Sequence, residues 1–212
     1  MKRIEPYKNF NEAIQSLDNG GRFYNLLTKA DDGIISKAEL GKVGGVFNNI
    51  QKMILFLELA ASRLNPKDRV AIIARLDSDL KNAYEKYQPQ RLLASEANAL
   101  GIVSCNAIVT GVPKHVKTSK QFNGFILIPV STGKVTAFTV VPLIEKYDVY
   151  EIRDELSDSE FLIAHARGSR RLPEERLEIA GIIKELKASK TEEKGSKIFL
   201  EALYHMACEE SV

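Results

Sequence analysis

The chain of 212 residues has only two cysteines and three histidines. It also has no run approaching the roughly 18 consecutive apolar residues that a membrane-spanning helix needs. Each scarcity excludes something. Cys105 and Cys208 match no metal or disulfide spacing, so neither a zinc module nor a disulfide framework is expected, and the protein is placed in a reducing compartment, the cytoplasm. Lys2, Arg3 and Lys8 are followed by no apolar segment, which argues against a secretory leader. No membrane association is expected. Net charge is +2, so no global field advertises a polyanionic partner. Residues 1–95 hold 15 Lys/Arg against 11 Asp/Glu, a balance of +4, and residues 96–212 hold 15 against 17, a balance of −2. Neither half is extreme.

With 44% hydrophobic and 27% charged residues the chain is ordinary globular material, long enough for one large domain or two small ones. The texture changes near residue 100. Before it, apolar residues recur at helical spacing: Phe10, Ala13, Ile14 and Leu17 up to the stop at Gly20 and Gly21, then a short stretch over 23–28. Ser36 followed by Glu39 is a capping-box pattern and starts a helix predicted over 36–64. That helix is apolar nearly all round between Ile50 and Leu64. It is expected to be central, with a dimer seam as the second use of its stripe. Asn65-Pro66 starts a helix predicted over 66–87, and residues 90–99 read as a linking helix.

Beyond Gly101, β-branched and aromatic residues give strands predicted over 102–112, 122–130, 135–141, 147–153, 161–167 and 177–186. A polar loop over 187–196 precedes an amphipathic closing helix carrying Ile198, Phe199, Ala202, Leu203 and Met206. The expected fold class is α+β: a helical bundle over 1–98, then over 99–212 a small antiparallel β-barrel or sandwich with a C-terminal helix. By strand count and length alone, residues 101–186 loosely resemble an OB-fold.

Two stretches carry candidate sites. Residues 28–39 resemble part of an EF-hand calcium loop. Gly33 falls on the sixth position, Ile35 on the eighth and Glu39 on the twelfth, while Asp32 and Ser36 match the fifth and ninth. Thr28 and Ala30 stand where two carboxylates belong, so Asp32, Ser36 and Glu39 imply weak calcium binding or none. The capping box explains Ser36 and Glu39 more simply.

The other candidate is basic surface in the β half. Lys114, His115, Lys117 and Lys120 precede Phe122 and Phe125, and His165, Arg167, Arg170 and Arg171 form a second cluster. Interleaved cations and aromatics suit an anion or a single-stranded nucleic acid, since charge tracks phosphates and rings stack bases. Opposing this are the acids Glu145, Asp148, Glu151, Asp154, Glu155, Asp158 and Glu160.

Catalytic and nucleotide motifs are missing. Residues 131–136 contain a Gly-Lys pair without the remaining P-loop positions. Asp77 and Asp79 lie two apart on a helix and cannot share a face. His115, His165 and His205 fall in no triad or metal pattern. No cofactor is expected. The leading expectation is a non-enzymatic binding or adaptor protein, in which the helical half docks a protein partner or a second copy and the β half presents a ligand surface. A single-stranded nucleic-acid binder using the two basic clusters is the next reading. A small-molecule enzyme or sensor with a pocket between the halves is the third.

Overall fold

The computed structural model describes residues 1–20, 29–116, 124–132, 135–142, 147–168, 170–188 and 197–208. The chain divides into two compact units, Lys2–Pro89 and, with Met1, Gln90–Val212. Among the described residues no helix is long and apolar enough to cross a membrane.

The first unit holds a two-residue strand β1 (Lys2–Arg3) and five helices: α1 (Phe10–Leu17), α2 (Lys37–Gly44), α3 (Ile50–Ala60), α4 (Pro66–Arg75) and α5 (Ser78–Lys86). Their starts follow local chemistry. Asn9, Ser36, Asn49, Asn65 and Asp77 each accept a backbone N–H of the first turn, satisfying a donor that the helix itself leaves open. The two long helices expected here are each broken. Over 36–64, Gly45 takes a left-handed conformation (φ +71°) that ends α2, and Asn49 caps a fresh start for α3. Over 66–87, the chain turns extended at Leu76, and Asp77 caps α5. That break is held by a bridge in which Ile35 donates to the Arg75 carbonyl at 2.7 Å and Asp77 donates to the Ile35 carbonyl at 2.9 Å. Every residue of α3 from Met53 to Ala60 is buried, and α3 packs against α2 and α5. The short stretch expected over 23–28 lies outside the described residues.

The second unit opens with β2 (Gln90–Leu93) and α6 (Ala94–Leu100), where one linking helix was expected. The strands β3 (Asn106–His115), β4 (Gly124–Thr132), β5 (Val135–Pro142), β6 (Tyr147–Asp154), β7 (Ser157–Ala166), β8 (Leu177–Ala188) and β9 (Lys197–Ala207) follow. They run in the order β9-β7-β6-β3-β8-β4-β5, with β2 added to β3 and β9 also paired to β8.

The expected OB-like antiparallel barrel or sandwich with a closing helix is corrected on two counts. The sheet is mixed, because β2 pairs with β3 and β7 with β9 in parallel. The closing helix is a strand: β9 pairs antiparallel with β8 from Leu177↔Ala207 to Leu186↔Lys197. Its residues obey both periods on paper. Pairing decides for the strand, because Leu200, Ala202, Tyr204 and Met206 then all turn inward. Each large side chain so buried contributes about 2 kcal/mol. Gly181 sits at the bulge in this ladder, where a Cβ would collide with the Glu201 carbonyl oxygen. The core of the unit includes Val109, Tyr150, Ile152, Phe161, Ile163, Ile179 and Leu200.

Candidate functional site

The calcium-like stretch is built as a set of caps. Glu39 is 1% exposed, and its Oε1 accepts the Gly20 N–H at 2.7 Å. Its Oε2 accepts the Ser36 N–H and hydroxyl, each at 2.8 Å. Asp32 accepts the Ile34 N–H at 2.9 Å, closing a local turn. Asp18, buried beside them, accepts the N–H groups of Asp32 and Gly33 at 3.2 and 2.8 Å. These carboxylates face N–H donors, which is the arrangement of a folded turn. Among the described residues no group of three His, Cys, Asp or Glu is placed to hold a metal ion.

Asp77, of the Asp77/Asp79 pair, is likewise a cap. Its Oδ1 accepts Leu80 N–H at 2.8 Å and its Oδ2 accepts Lys37 N–H at 3.1 Å. The helical unit also has a cleft of about 170 Å³ lined by Lys2, Tyr7, Ser16, Val43 and Phe56 among others. Lys2 donates there to the Val43 carbonyl and sits 5.3 Å above the Phe56 ring. The cleft is smaller than the roughly 300 Å³ at which ligand sites begin.

The β unit brings His115 of the first basic cluster and His165 of the second to one residue. β3 and β6 pair so that His115 lies opposite Tyr150 and Lys114 opposite Glu151. β6 and β7 pair so that Asp148 lies opposite His165. The result centres on Tyr150. The His115 ring stands edge-on to it with centroids 5.1 Å apart, and the His165 ring stacks on it at 5.5 Å. The Tyr150 hydroxyl lies 3.4 Å from His165 Nε2 and accepts the Leu172 N–H at 3.2 Å. That last bond ties down the loop carrying Arg170 and Arg171, both exposed. Arg167 sits at the rim, 3.9 Å from Asp148.

His165 and Tyr150 are each 1% exposed. Burial pushes the His165 imidazole below its ordinary value, because the charged form loses hydration. Burial raises the Tyr150 phenol for the same reason, and the Arg171 charge acts on it in the opposite direction. Both ring nitrogens of His165 are engaged, Nδ1 with the Ala166 carbonyl at 3.1 Å and Nε2 with Tyr150.

The acids are interleaved with the cations on these strands. Glu151 faces Lys114 across the ladder, Arg153 pairs with Glu160, and Arg176 pairs with Glu155 at 3.0 Å. Asp154 accepts the Ser95 and Leu156 N–H groups at 2.6 and 2.8 Å.

Of the residues singled out from sequence, the structure brings His115 and His165 together against Tyr150, sets Arg167 beside Asp148 opposite His165, and puts Arg170 and Arg171 on the loop held through Leu172, while Lys114 lies opposite Glu151 on β3 and β6. Phe125 lies on β4, and Lys117, Lys120 and Phe122 lie outside the described residues. Tyr150 and Leu172, which join the clusters, were not singled out. The alternation along β6 marks Tyr150 as one of its inward residues, but nothing local to it names His165 as a neighbour. Compared with known proteins, the chain matches no family model, no curated protein and no solved structure.

Proposed function

We propose that the protein is a non-enzymatic binding protein whose β unit takes an anionic group, a phosphate or a carboxylate, at the rim formed by His115, Arg167, Arg170 and Arg171. The observation that carries this reading is that His115, His165 and the 170–172 loop all meet one buried residue, Tyr150, the two histidines against its ring and the loop at its hydroxyl. Guanidinium groups recognise such oxygens with paired, charge-assisted hydrogen bonds. The division into two compact units supports a separate job for the helical unit, docking a protein partner or a second copy of the chain.

A short anion fits better than a polyanion. A nucleic-acid track needs uninterrupted positive charge and rings open to bases. Here Glu151 stands opposite Lys114 and the Tyr150 ring is inside the core.

The test is titration of the full chain with sulfate, and separately with a labelled single-stranded oligonucleotide across a salt series. The expected result is sulfate binding lost in the Arg170→Ala/Arg171→Ala double variant, with weak oligonucleotide binding. Tight oligonucleotide binding with a steep salt slope would transfer the site to the nucleic-acid reading. No response to either ligand would refute both.

A further inference from the structure

The hydrogen bonds around Tyr150 have a direction. The Ala166 carbonyl can only accept, so Nδ1 of His165, 3.1 Å away, carries the proton. In the neutral ring Nε2 then carries none and accepts from the Tyr150 hydroxyl at 3.4 Å. With its own proton committed to His165, that hydroxyl accepts from the Leu172 N–H at 3.2 Å. The relay runs from Leu172 through Tyr150 and His165 to Ala166, and every member is satisfied only while His165 is neutral. A protonated His165 donates from both nitrogens. The Tyr150 oxygen then faces two donors, and its own proton loses its acceptor in a site where an unmet polar group is costly.

Charged groups approach from several elements. Asp148 of β6 lies opposite His165 and is shared with Arg167, and the His115 ring of β3 stands edge-on to Tyr150. The Arg171 charge reaches the Tyr150 hydroxyl, and the Met1 ammonium reaches His165. On β9, Glu201 lies opposite Ala164 and is held by the Tyr147 hydroxyl at 2.9 Å.

We infer that His165 and Tyr150 form a proton-controlled latch on the 170–172 loop: when His165 takes up a proton, the Leu172 N–H is released, and with it the position of Arg170 and Arg171. Regulation of anion binding by this latch rests on the function proposed above, whereas the latch itself does not. Burial, the largest influence, lowers His165, so its neutral form is favoured in the folded state. The latch is therefore fully closed above the ordinary histidine value of about 6.5 and opens as pH falls through the depressed value.

The experiment is an NMR titration of the full chain from about pH 7.5 to about pH 5, the window in which histidine changes charge. It follows the His165 ring and the Leu172 amide together. Both are expected to move with one midpoint. The exchange protection of the Leu172 amide should fall by about tenfold for each unit that this midpoint lies below the ordinary value. Tyr150→Phe should leave the Leu172 amide indifferent to His165. If that variant fails to fold, His165→Gln should remove the pH response of Leu172 instead. A Leu172 amide that stays still while His165 titrates, or that follows His165 equally well in Tyr150→Phe, overturns the latch. In a separate arm at fixed pH 7.5 or so, sulfate is added, an ion that does not itself titrate in this window. Silence of the Arg170 and Arg171 amides there overturns the anion site and its regulation, while Leu172 alone decides the latch.

Discussion

In the helical unit the buried polar side chains include three carboxylates, those of Asp18, Glu39 and Glu58; in the β unit they include His165. Asp18 and Glu39 are met by backbone N–H groups and the Ser36 hydroxyl, and Glu58 by Tyr84 and by Arg69 at 3.0 Å. None of these donors changes charge near neutrality. The β unit instead surrounds a titrating ring with groups whose hydrogen bonds depend on its proton. All three histidines lie in that unit, and residues 2–89 contain none. One unit is thus locked by fixed donors, and the other is poised on a proton.

The contrast can be broken first where the lock is strongest. Glu39→Ala removes the acceptor of two N–H groups and a hydroxyl, so the helical unit should lose about 3 kcal/mol, read as a lower urea midpoint for its helical signal. A loss under about 1 kcal/mol would mean that water replaces the carboxylate easily.

Tyr84→Phe leaves Glu58 with Arg69 and should cost about 2 kcal/mol by the same measurement. Burial and the Glu58 carboxylate push the Tyr84 phenol up to about 12. In an alkaline absorbance titration it should ionise after solvent-exposed tyrosine. The stability it supplies is complete below pH 10 or so and lost as pH rises through the higher folded value.

The comparison is sharpened by acid. As pH falls below about 6.5, the amides of the β unit around Tyr150 should lose protection. The helical unit should not respond over the same window down to about pH 5.5, having no histidine. Equal responses in both units would erase the distinction.

The smallest effect is expected at the rim. Arg167→Ala breaks an ion pair whose arginine is 55% exposed, and stability should change by no more than about 0.5 kcal/mol in a thermal melt.

What could be read from the chain alone were features whose physics acts within a turn or two. The Ser36–Glu39 capping box, the Asn65-Pro66 start and the change from helical to strand spacing near residue 100 are of this kind. A cap or a turn involves neighbours along the chain, so its residues announce it.

Tertiary structure decided everything that depends on who lies beside whom. Residues 198–206 satisfy helical and strand periods alike, and only the ladder offered by β8 selects the strand. His115 and His165 are fifty positions apart and meet because two strand registers, His115↔Tyr150 and Asp148↔His165, place both against one tyrosine. Register is set by burial of whole strand faces, a collective quantity that no short motif records. The sequence by itself determined which residues carry charge, protons and caps. The pairing of β3, β6 and β7 decided that a phenol and an imidazole share one proton-dependent chain of bonds, because only packing brings distant strands within hydrogen-bond reach.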